Sequence, residues 1–266
     1  MLAKLFTGSS SSASTLLSSS ISDDGERIVF WSSREGGGLF SKAANGTGLA
    51  ERLTESAEMQ RPESFTPDGS ELIFVDGATR EGVTPNGTLF RIPLSGEGVA
   101  EPLLGTGAPE PWADFSPDGR WLAYSAGEWG QIEVYVEPYP NPSGSKWQVS
   151  TGGFALLPQW LSDDALFYFD WDAGIPMGVT METEPVFQPG EPAELWRDAR
   201  EQNGITARAA VVDFLPDARG FLAAMNITDS TDTDATTEDS TSAKQTRLIV
   251  VENWFEELKA LVSPPN

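Results

Sequence analysis

Short apolar runs recur along the chain, each placed just after a small acidic turn. They are IVF at 28–30, LIF at 72–74, LAY at 122–124, LFYF at 166–169 and FLAA at 221–224. Runs of three or four apolar residues bounded by turn residues are too short for helices and predict buried β-strands. Aligned on the turn aspartates Asp24, Asp68, Asp118, Asp163 and Asp217, the five copies lie 44, 50, 45 and 54 residues apart. An apolar residue stands three positions before each aspartate (Ile21, Phe65, Phe115, Trp160, Phe214) and another four positions after it (Ile28, Leu72, Leu122, Phe167, Phe221). Each turn is therefore expected to join two core strands. Three copies carry Asp-Gly at the turn (Asp24-Gly25, Asp68-Gly69, Asp118-Gly119), which predicts a two-residue hairpin because glycine takes positive φ freely. The fourth has Asp163-Asp164 and the fifth Asp217-Ala218.

Two further strands follow in each unit. They read GLFSKAA and ERLTES in the first, TLFRIPL and AEPLLGT in the second, QIEVYVEPY and KWQVST in the third, and PMGVTMET and PAELWRD in the fourth. The fifth offers VVDFL, GFLAAM and RLIVVENW, and the segment AKLFTGS near the N-terminus has the character of its missing fourth strand. A period of 40–50 residues with four short antiparallel strands per unit predicts an all-β fold, a β-propeller of four-stranded blades. Five blades are recognisable, either a complete set or the remainder of a six-bladed propeller. The expectation is one propeller domain over 1–266, interrupted by an acidic low-complexity loop at 228–243 that has no large apolar side chain. The pattern WFEELKALV predicts a short C-terminal helix over 254–262.

Strand alternation picks out a second set of positions. If the residue three before each aspartate packs between blades, the residue four before it points the other way, toward a central channel. Those residues are Ser20, Ser64, Asp114, Gln159 and Asp213, all polar. They form a candidate ligand-binding ring, or they line a tunnel of water. Trp129 and Trp171 follow second strands in loop positions and are candidates for exposed aromatic contacts, whereas Trp112, Trp160 and Trp254 fall in strand or helix patterns and are expected in the core.

Composition narrows the chemistry. The chain has no cysteine and no histidine, so thiol nucleophiles, thiolate zinc sites and Ser-His-Asp triads are excluded. Seventeen Lys and Arg stand against 40 Asp and Glu, a formal charge of −23. Such a charge repels phosphate backbones and anionic lipid, so nucleic acid is not an expected partner. No apolar run approaches the length of a membrane span, and the serine-rich N-terminus lacks the apolar core of a signal peptide. The turn aspartates are explained by turn chemistry and the acidic loop lacks the glycine and glutamate of a calcium loop, so neither a metal nor a cofactor is implied.

The segment SPDGRWLAYSAGEWGQIEVYVEPYP, followed by KWQVSTGG, ETEPVF and the closing RLIVVENWFEELK, resembles the TolB-like propeller repeats found C-terminal to bacterial membrane-bound serine/threonine protein kinases. The resemblance covers about residues 15–262. It implies a WD40-like, non-catalytic binding or scaffold module, sensor-like, monomeric and located outside the cytoplasm, whose protein, peptide or small-molecule ligand the sequence does not identify. It does not carry kinase activity, because the chain has no His-Arg-Asp loop and its Asp114-Phe115-Ser116 is a strand leading into a turn. The chain is expected to be a piece of such a kinase or a stand-alone propeller, and not an enzyme. The alternative implied by the same repeats is the accessory propeller of a prolyl-oligopeptidase-like hydrolase.

Overall fold

The computed structural model describes residues 19–22, 24–78, 87–95, 98–108, 111–128, 130–140 and 145–195, together with the backbone of 209–214, 220–227 and 245–252. The described chain is nearly all β, with one 3-10 turn at Arg34–Gly36. Two compact units divide it, Met1–Trp160 and Leu161–Asn266.

The first unit opens with a sheet of β1 (Ser19–Ile21), β2 (Arg27–Ser32), β3 (Gly38–Ala43) and β4 (Glu51–Arg52), paired in chain order. The second sheet contains β5 (Met59–Phe65), β6 (Glu71–Ala78), β7 (Thr88–Pro93) and β8 (Glu101–Gly105), and the third β9 (Ala113–Phe115), β10 (Trp121–Glu128), β11 (Gln131–Pro138) and β12 (Trp147–Gln148). All pairings are antiparallel. β11 shows why these segments are strands. Ile132, Val134 and Val136 are buried in alternation with the less buried Glu133, Tyr135 and Glu137, so a period of two places every apolar side chain on one face.

The fourth sheet orders β13 (Ala155–Ser162), β14 (Ala165–Asp170), β15 (Ile175–Glu182) and β16 (Gln188–Pro189), and β17 (Ala193–Glu194) also pairs with β15. In the second unit β14 is buried at five successive positions, Ala165 to Phe169, so both of its faces are covered. The fifth sheet has β18 (Ala209–Phe214), β19 (Gly220–Ile227) and β20 (Gln245–Glu252), with Leu222 opposite Asp213 on one side and Val250 on the other. The segments expected at 2–7, 228–243 and 254–262 lie outside the described residues.

Within the first unit the sheets stack by a rule visible in the clusters. Phe65, Leu72, Phe74 and Ile92 of the second sheet pack on Val29 and Leu39 of the first. Phe115, Leu122 and Tyr124 of the third pack on Ile73, Val75 and Leu89 of the second. In the second and third sheets the residue three before the turn aspartate is thus the aromatic laid on the preceding sheet. Phe65 and Phe115 are buried accordingly, as are Leu72 and Leu122 at the matched position after the turn; Trp160 and Phe167 of the fourth sheet are buried as well. Ile21 departs from the expectation: it is 42% exposed, because its sheet is the first and no earlier described sheet receives it.

The turns also differ from the two-residue hairpin expected at Asp-Gly. Four residues separate the bonded pairs Ser22 and Arg27, Thr66 and Glu71, and Ser116 and Trp121, whose N–H and C=O groups meet at 2.9–3.0 Å. Glycine sits at φ +70°, +67° and +69° in the three loops and donates its N–H back to the Ser or Thr carbonyl. The two-residue connection occurs in the fourth sheet, where Asp-Asp stands between Ser162 and Ala165. There Asp164, not Asp163, holds the position equivalent to the other turn aspartates, accepting from Ser162 Oγ at 2.6 Å.

Candidate functional site

Each of the four described turns has a hydroxyl two residues before its aspartate that bonds the carboxylate, a feature that sequence reasoning did not single out. Ser116 Oγ donates to Asp118 Oδ1 at 2.6 Å and accepts the Trp121 N–H at 3.0 Å, while the Arg120 N–H donates to Asp118 Oδ1 at 3.0 Å. Thr66 with Asp68 and Ser22 with Asp24 repeat the arrangement. These hydrogen bonds hold the Asp24 and Asp68 carboxyls below the ordinary carboxylate range, Asp68 at about 2. Asp118 is also lowered: its burial acts upward, and Ser116, the Arg120 N–H and the Arg120 guanidinium together outweigh it.

A cleft of about 450 Å³ lies beside the first two of these turns. Asp24, Glu26, Glu51 and Asp68 line it with Arg27 and Lys42, and Leu49 stands fully exposed at its edge. Asp24 and Asp68 are engaged in their own turns, so Glu26, Glu51 and Lys42 are the wall groups best placed to meet a solute. Among the described residues no three carboxylates converge to hold a metal ion.

The polar positions four before the turn aspartates are brought together in part. Ser20, Ser64, Asp114 and Gln159 are all half-buried; the side chain of Asp213 lies outside the described residues. Ser64 Oγ donates to Asp114 Oδ1 at 2.8 Å, and the Trp160 N–H donates to Asp114 Oδ2 at 2.8 Å. One carboxylate thereby ties the first strands of the second, third and fourth sheets. Gln159 takes part only through its neighbour's backbone, and among the described residues no bond joins Ser20 to the others. Trp171 is 40% exposed and meets Phe169 edge-on at 5.8 Å; Trp129 lies outside the described residues. Of the tryptophans expected in the core, Trp160 is buried and Trp112 half-buried, and Trp254 lies outside the described residues.

Beside this tie lies a pair that the repeat does not announce. The side chains of Arg61 and Glu63 of β5 are 8% and 3% exposed, with Arg61 Nε donating to Glu63 Oε1 at 2.5 Å. The guanidinium also donates to the Pro111 carbonyl at 2.6 Å and lies 3.8 Å from the centre of the Trp112 ring. The signal available in the sequence is departure from the repeat. Counted from Asp24 and Asp118, the positions equivalent to Arg61 hold Leu17 and Pro111, and those equivalent to Glu63 hold Ser19 and Ala113.

Four-stranded antiparallel sheets stacked by a common rule, with polar residues on the first strands, define a β-propeller. The solved structures similar to it agree. TolB from Acinetobacter baumannii superposes with a TM-score of 0.56 at 17% identity, over 82% of this chain and 52% of that one. A puromycin-hydrolysing peptidase of Mycobacterium tuberculosis gives 0.53 at 18%, over 75% and 33%, and a prolyl endopeptidase gives 0.51 at 16%, over 82% and 33%. The chain therefore spans about half the length of the TolB and a third of each peptidase. No family model and no curated protein matches the sequence. No described helix is long and apolar enough to cross a membrane.

Proposed function

We propose that the chain is a non-catalytic binding or scaffold module, the sensor-like C-terminal propeller of a bacterial membrane-bound serine/threonine kinase. The observation that carries the binding role is the cleft beside the first two turns. It is roomy and lined by charges of both signs, and it lies in a chain with no histidine or cysteine to serve as base or nucleophile. The kinase context rests on the segments SPDGRWLAYSAGEWGQIEVYVEPYP and RLIVVENWFEELK. In that setting the propeller lies outside the cytoplasm and acts as a monomer, reading a protein, peptide or small solute.

The likeness to peptidase propellers supports a second reading, the accessory propeller of a prolyl-oligopeptidase-like hydrolase. Sequencing the flanking gene region separates the two. A kinase domain and an apolar span encoded upstream support the first; a hydrolase domain with Gly-x-Ser-x-Gly downstream replaces it with the second.

A further inference from the structure

The seam between the first strands of the second and third sheets holds a carboxylate that a binding role does not use. Glu63 is the extra residue of a bulge: Pro62 pairs with Phe74 and Ser64 with Ile73, which leaves Glu63 without a partner on β6. The bulge turns its side chain inward, where it accepts from Arg61 and from the Ala113 N–H of β9. Arg61 in turn reaches Pro111 and Trp112, just before β9. The pair therefore spans the seam.

The charges that act on Glu63 there are few. Arg61 stands on its own strand, and Asp114 faces it from β9, its oxygens taken up by Ser64 and Trp160. From β6, Asp76 is engaged by Ser56 and the Gly77 N–H. Arg27 of β2 and Lys42 of β3 line the cleft at the turn end, and β1 carries no charge. Glu63 thus sits between one cation, Arg61, and a second carboxylate, Asp114, in a place shielded from water. Burial outweighs the attraction of Arg61 and pushes Glu63 up to about 7.

We propose that Glu63 is a proton-operated lock on this seam, which closes firmly when the carboxyl is neutral and loosens when it ionises. The neutral acid still accepts from Arg61 and Ala113 and has no charge to desolvate. The ionised form gains by opening, because water then reaches it. The direction follows from linkage. The closed seam holds the proton more tightly than the open one, so the stabilisation is complete below the ordinary glutamate range and is lost as pH rises through about 7.

Hydrogen exchange at the Ala113 amide tests this in the full chain. In the wild type its protection factor, corrected for intrinsic exchange, is expected to be about tenfold or more higher at pH 5.5 than at pH 8. In Glu63→Gln, a fixed neutral isostere, the two values should coincide at or above the wild-type value at pH 5.5. A wild-type protection factor that does not change with pH overturns the proposal, as does a Gln variant that keeps the pH dependence. Should that variant not fold, a carbon-13 titration of wild-type glutamates decides. The Glu63 carboxyl titrating near neutrality supports the lock, and its titrating with the exposed glutamates sinks it.

Discussion

Ser64 and Asp114, fifty residues apart in the chain, are joined by a 2.8 Å hydrogen bond from hydroxyl to carboxylate, and the second oxygen of Asp114 holds the Trp160 N–H. At Ser64 and Asp114 the polar position four before the turn aspartate is thus an intersheet tie. Asp114→Ala removes the acceptor of the Trp160 N–H and leaves the Ser64 hydroxyl only the Phe65 carbonyl at 3.3 Å, and should cost about 2–3 kcal/mol, with Asp114→Asn costing less because the amide oxygen still accepts. The check is the urea midpoint, with the denaturant slope unchanged.

The turn hydroxyls should matter more than the repeat suggests. Ser116 is fully buried, donates to Asp118 and accepts from Trp121. Ser116→Ala is expected to cost about 1–3 kcal/mol, since the Trp121 N–H loses its acceptor. Ser162→Ala, in an exposed turn with one such bond, should cost less. Thermal melts of both variants alongside the wild type would measure the difference.

The same repeat position should tolerate truncation in one sheet and not in another. Phe115 is 5% exposed within the second cluster, and Phe115→Ala is expected to cost about 3–5 kcal/mol. Ile21→Ala, at a site 42% exposed, should cost well under half of that. Equal losses at chemical unfolding equilibrium would show that Ile21 is covered in solution.

Acid should weaken the turns in the sense opposite to the Glu63 seam. The Asp68 carboxyl is held at about 2 by bonds from Thr66 and Ser70, so the folded state binds its proton less tightly than the unfolded chain. The stability it brings is present above the ordinary aspartate range and is lost as pH falls from there toward 2. Asp68→Asn should therefore flatten part of the slope of stability between pH 4 and 2 and leave the slope near neutrality unchanged. Melting temperatures across pH 2–8 would show both limbs.

No phosphotransfer and no peptide hydrolysis is expected from the purified chain. Activity above a mock preparation, abolished by a point substitution in this sequence, would refute the non-catalytic reading.

The sequence by itself determined the repeat, the strands and most of the buried positions. These depend on neighbours a few residues away. An apolar residue every second position defines one face of a strand, and a turn at each aspartate fixes which strands pair. From that much, Phe65, Phe115 and Trp160 could be placed in the core and Ser64 and Asp114 on the other face of their strands. The departures needed the third dimension. Ile21 carries the same local pattern as Phe65, yet its exposure depends on whether another sheet stacks against it, and the pattern contains no information about that. In the three Asp-Gly copies a hydroxyl and a carboxylate two residues apart satisfy backbone N–H groups across a four-residue turn, yet the same pair at Ser162 and Asp164 spans a two-residue turn, so the local pattern does not set the turn length. Arg61 and Glu63 stand in the sequence only as charges at positions where the first and third units carry none. Only the bulge at Glu63 and the approach of Pro111, Trp112 and Ala113 from the next sheet make them a buried pair, because desolvation is set by what packs around a group and not by its place in the chain.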